Sequence, residues 1–76
     1  MNKQRRKEIE IAYQKVADAL AVLNNCRDEE QEALDNLPEN LQFSKRADDL
    51  TDNIDQLEYA IGNLEDALND IEDLIN

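Results

Sequence analysis

The chain has no histidine and no tryptophan, and only one residue each of glycine, proline and cysteine. Each shortage removes a class of protein. Without imidazole, Ser44 and Thr51 lack a base partner, so nucleophilic catalysis has no support. The Glu-x-x-His pairs of a carboxylate-bridged di-metal centre are absent for the same reason. Asp48 to Asp52 has the acidic spacing of a calcium loop without its central glycine, and it falls inside a helical register. These gaps predict a protein that is not an enzyme and uses no metal or cofactor. One cysteine cannot close an internal disulfide, which suits a reducing, cytoplasmic setting. One glycine and one proline leave little room for the turns of a sheet protein.

Long hydrophobic runs are missing too. No stretch approaches the ~18 apolar residues of a membrane-spanning helix. The basic start, Lys3 to Lys7, runs into Glu8 and Glu10 rather than an apolar stretch, so it does not read as a secretory signal. Cations are scarce: 8 Lys and Arg stand against 19 Asp and Glu, a formal net charge of −11. From Ala47 to Asn76 there are none. That balance argues against direct contact with nucleic acid or with anionic membranes.

What the chain does have is an unbroken heptad in its second half. Leu50, Ile54, Leu57, Ile61, Leu64, Leu68, Ile71 and Ile75 follow at alternating spacings of four and three. This is the seam of a coiled-coil-type helix, with Ile54, Ile61, Leu68 and Ile75 at a and Leu50, Leu57, Leu64 and Ile71 at d. Disordered chains of similar acidity do not hold apolar residues in register this way. The first half carries a matching seam: Ile9, Tyr13, Val16, Leu20 and Leu23, then Arg27 and Glu30 as an interruption, then Leu34 and Leu37. Charges there either reach solvent along their stems or form a polar layer that fixes register.

Both stripes have small or apolar residues at g as well: Ala12, Ala19, Cys26 and Ala33, then Ala60, Ala67 and Leu74. An a/d/g face is wider than a two-stranded seam and fits a bundle of three or four helices. Cys26 is expected as a small core residue on that face, or as a contact across a dimer axis.

The break between the stripes is Asn36 to Ser44. Pro38 cannot continue a helix and turns Leu37 away from helical geometry. Ser44 is placed to cap the next helix, although Ala47 stands where a capping box would have Glu or Gln. The expected organisation is one all-α domain over 1–76: helix 1 at about 3–36, a turn at 37–43 and helix 2 at about 44–75, folded as an antiparallel hairpin. Folding about residue 40 pairs Leu34 with Ala47, Leu23 with Leu57, Leu20 with Ile61, Val16 with Leu64 and Ile9 with Ile71. Leu37, Leu41 and Phe43 are then expected to plug the end of the bundle. The cations Lys3, Arg5, Arg6 and Lys7 come beside Glu65, Asp66, Asp70, Glu72 and Asp73, offsetting each helix end's unfavourable dipole.

A lone hairpin cannot cover an a/d/g face. A second copy, giving a four-helix bundle, is the expected remedy; docking on another protein is the alternative. The expected oligomer seam comprises Tyr13, Val16, Leu20, Leu23, Leu50, Ile54, Leu57, Ile61, Leu64, Leu68 and Ile71. Ile11 and Val22 lie outside it and could extend an oligomer contact. The outer surface of helix 2 is the candidate for binding a partner. There Asp52, Asp55, Asp66, Asp70 and Asp73 surround Tyr59 and Gly62, an aromatic beside a dimple of the kind that anchors interfaces. A rod of carboxylates can imitate a phosphate backbone in a basic, DNA-binding cleft; the plainer alternative is a solvated, solubilising face. The exposed-helix function is thus an acidic protein-binding module, against a structural or assembly coiled coil as the other class.

The run from Asp28 to Ser44, with Arg46 and the acidic heptads behind it, resembles a group of small phage and prophage proteins built as acidic helical hairpins. The resemblance covers roughly the C-terminal two-thirds of the chain and departs from the pattern at Lys45 and Ala47. It implies a hairpin fold and a setting in the cytoplasm of an infected or lysogenic bacterial cell. It implies no activity and supplies no site residues.

Overall fold

A computed structural model describes residues 1–76. Helix α1 spans Lys3–Asp35 and helix α2 spans Lys45–Ile75, with a short 3-10 turn at Glu39–Leu41 between them. The two helices pack against each other along their length. The result is an all-α hairpin shaped as a rod, 60 × 14 × 14 Å.

Local chemistry sets each boundary. Asn2 caps α1: its side-chain oxygen accepts from the Arg5 amide at 2.7 Å. That bond satisfies one of the donors a helix start leaves free. Asn36 closes α1, its amide donating to the Glu32 carbonyl at 3.0 Å. Pro38 then takes an extended ψ of 148° and ends any continuation. The chain turns through bonds from the Leu41 amide to the Pro38 carbonyl, 2.8 Å, and from the Ser44 amide to the Leu41 carbonyl, 3.1 Å. Ser44 ties the turn to α2. Its hydroxyl donates to the Leu41 carbonyl at 2.6 Å and accepts from the Ala47 amide at 3.3 Å. The expected cap therefore forms without a capping box.

The core is one narrow strip. Ala47, Leu50, Ile54, Ile61 and Leu68, all on α2, are the buried residues. Leu57, Leu64 and Ile71 at d are half-buried, and so are Ile9, Tyr13, Val16, Leu20, Leu23 and Leu34 across from them. Four a positions of α2 (Ala47, Ile54, Ile61 and Leu68) and the d residue Leu50 thus face α1 squarely, while Leu57, Leu64 and Ile71 at d are only partly covered. No helix is long and apolar enough to cross a membrane.

Three expectations are corrected. Leu41 and Phe43 do not plug the end of the hairpin; both are exposed, Phe43 at 98%. Two helices joined by a tight turn leave no end cavity for them to fill. Cys26 is exposed rather than a core residue, because it sits on the flank that a single partner helix does not reach. The basic start of α1 makes no ion pair with the acidic end of α2. The molecule's ion pairs are Arg27–Asp28 and Lys45–Asp49, each at 3.0 Å. The side chains at that end project into water instead of closing on each other.

Candidate interaction surface

Two surfaces follow from this geometry, on different sides of the rod. The first is the outer surface of α2. The acids between Asp48 and Asp73 number ten, and every one is exposed. They span about 38 Å at a helical rise of ~1.5 Å, close to one charge per ~4 Å. A single DNA strand carries one phosphate per ~3.4 Å. The acids of α2 approach that density on average, grouped as Asp48–Glu58 and Glu65–Asp73, with Glu58, Glu65 and Glu72 turned to one flank. No cation inside this stretch neutralises them. At its start, the Lys45 ammonium bonds both oxygens of Asp49, at 3.2 and 3.0 Å. That hydrogen bond, with the charge of Asp49, holds the Lys45 pKa above its ordinary value.

Asp52, Asp55, Asp66, Asp70 and Asp73 all lie on this exposed surface, and Tyr59 stands among them at 69% exposure. Gly62, one turn beyond Tyr59, is half-buried, and a Cβ built on it meets nothing within 4 Å. Packing in the hairpin does not require glycine there.

The second surface is the open flank. A shallow groove of about 490 Å³ is lined by Cys26, Glu29 and Glu30 of α1 and by Asn53, Gln56, Leu57 and Ala60 of α2. The lining shows how the helices meet: the g residues of both, Cys26 with Asn53 and Ala60, fall on the same side. Ala12 and Ala19 are exposed along that side, and Ala60 and Ala67 half-exposed. The opposite flank, with Glu10, Asn24 and Gln31 against Glu58, Glu65 and Glu72, is polar apart from Ala17. The apolar surface is therefore one-sided.

The interruption in the α1 seam lies at the groove's edge. Arg27 is half-buried along its stem and reaches Asp28, its Nη2 and Nε donating to the same oxygen at 3.0 and 3.3 Å. Glu30 accepts from the Asn53 side-chain amide at 3.2 Å, the side-chain hydrogen bond that links the two helices. Mirroring about residue 40 would set Asn53 opposite Arg27; the bond runs to Glu30, about one turn away. So one charge of this pair reaches solvent and the other marks register. Arg27 and Glu30 interrupt the seam together, and nothing in the heptad signals that they part. No three carboxylate or thiol groups converge as metal ligands do.

No protein-family model, no curated protein and no solved structure matches the chain.

Proposed function

We propose that the protein is a non-enzymatic binding module of phage type that presents the acidic outer surface of α2 to a basic, DNA-binding protein in the bacterial cytoplasm, as a DNA mimic. The observation that carries this is the set of ten exposed acids from Asp48 to Asp73, with no cation among them, in two clusters on either side of Tyr59 and Gly62. Like charges at i,i+4 cost a helix a few tenths of a kcal/mol per pair. A cleft of Lys and Arg would relieve that repulsion and release counterions, as it does on DNA. Tyr59 supplies an anchor within the charged field. The turn's resemblance to phage and prophage hairpins supports the setting. The open flank supports self-association into a four-helix bundle, which leaves the acidic surface outward.

The test is a pull-down from bacterial lysate with identification by mass spectrometry, followed by competition with duplex DNA. Retention of a DNA-binding protein, weakened by salt and by DNA, is the expected result. Replacing Asp52, Asp55, Asp66 and Asp70 together by Asn should abolish it. Recovery of no DNA-binding protein under these conditions sinks the mimic.

One observation favours a second reading, an assembly or scaffold coiled coil. The apex of the rod presents Phe43 fully to water, with Leu41 beside it, and an apolar tip suits end-on contact with other subunits. That reading requires higher oligomers or association with virion components.

A further inference from the structure

The self-association proposed above leaves open how two hairpins align, and the surface of α1 bears on this. We propose that the second copy docks through α1, the two α1 helices lying antiparallel about a twofold axis close to Val22. This inference rests on the homodimer reading and specifies its contact.

Charge is the first support. Of the cations in α1, Lys3, Arg5, Arg6, Lys7 and Lys15 lie in its N-terminal half, while Asp28, Glu29, Glu30, Glu32 and Asp35 crowd its C-terminal end. None of those five cations has a carboxylate within 4.0 Å in the hairpin, whose ion pairs are Arg27–Asp28 and Lys45–Asp49. In an antiparallel copy of the same helix, Lys15 meets the acidic cluster, twice by symmetry, while Lys3–Lys7 fall opposite residues 37–41, beside Glu39. About an axis near Val22, Lys15 comes opposite Glu29 of the second copy.

The shape of the flank agrees. Val22 is 59% exposed, one turn from Ala19 and Cys26 on the open side. The axis places it against its own copy, where both lose water. Ala19 then comes within one residue of Cys26 of the second copy, and small side chains at both positions let the backbones approach.

Helix α2 tolerates this arrangement. Its central residues on the open flank, Asn53, Gln56, Ala60, Asn63 and Ala67, are uncharged, and the charges that continue those stripes, Asp70 and Arg46, come opposite one another in the two copies. Asp49, farther along, is already paired with Lys45. The other twofold arrangement, with both Pro38 turns at one end, sets α1 on α2 and would press Val22 onto the amides of Gln56 and Asn63.

Three measurements on the full chain test the contact. Light scattering at tens of micromolar should give twice the chain mass. Lys15→Glu and Glu29→Lys should each weaken the dimer about three- to tenfold, given two rim charge pairs per dimer, and the double variant should recover wild-type affinity. Ala19→Cys should give a covalent dimer under mild oxidation by joining the introduced thiol to Cys26 of the second copy. Wild-type protein should not, because the two Cys26 backbones lie about 12 Å apart along the helices, beyond bridging range. Ala19 is exposed, so unchanged helicity by circular dichroism shows that this variant folds. A monomer overturns both this contact and the self-association. A dimer with no charge-swap rescue and no cross-link overturns only this alignment.

Discussion

Ile61 and Gly62 are neighbours in sequence with opposite relations to the fold. Ile61 is buried at the centre of the strip, whereas Gly62 has open space where a Cβ would go. Gly inside a helix costs about 0.8–1 kcal/mol relative to Ala. Gly62→Ala should therefore raise the urea midpoint by a stability gain of about that size, whereas Ile61→Ala should cost about 2–4 kcal/mol through lost burial and a residual cavity. If Gly62→Ala also weakens partner binding while stabilising the chain, the glycine is kept for the surface and not for the hairpin. Unchanged binding would assign the recognition to the carboxylates and Tyr59 alone. Lys45 makes a smaller contribution at the same scale. Its raised pKa means that its pairing with Asp49 stabilises the fold at neutral pH and is lost only as pH rises through the alkaline range where Lys45 deprotonates.

At the scale of elements, α2 is at odds with its own charge. Asp48 and Asp52, and Asp66 and Asp70, stand one turn apart with like sign, and Glu72 and Asp73 face the negative end of the helix dipole. Screening should relieve all of these together. Raising sodium chloride from about 0.02 to about 0.5 M shortens the Debye length several-fold. Recovery of about 1 kcal/mol would lift the Tm by about 4–8 °C in a domain of this size. A flat profile would mean that cations elsewhere in the fold already compensate the acids. The helix limits and the Ser44 cap were readable in the sequence, because a 3.6-residue pattern interrupted by Pro38 allows few other divisions. The fates of Cys26, Leu41 and Phe43 were not. A heptad reports which face is apolar, and the fraction of that face covered by one neighbouring helix depends on how many helices are present. With two, the tight contact narrows to Leu50 and the a positions from Ala47 to Leu68 of α2, and the flank and apex stay in water. The acidic surface was legible for the opposite reason: charges at outer positions are exposed whatever the number of helices.

As a whole molecule, the hairpin divides its surface between two tasks. The open flank joins small and apolar residues from both helices, while the acids of α2 lie mainly on the outer side. A second copy on the flank would double the number of acidic rods without covering them. Two rods on one particle would raise the effective concentration of the second contact on any partner with paired basic clefts.

Burial also has a direction along the rod. It is tightest beside the turn, where Leu50 is 1% exposed, and loosens to 9% at Leu68 and to half-burial at Ile71 and Ile75. Contacts near the turn also close the shortest loops and cost the least chain entropy to form. The two helices should therefore unzip from their free ends, opening like a clothes peg whose spring is the Pro38 turn. Amide hydrogen exchange should show this as a gradient, slowest from Ala47 to Ile61 and fastest in the first turns of α1 and the last turns of α2. Uniform protection would mean that something else clamps those ends. A protease or unfoldase that grips either end of the chain would meet its least secured turns first.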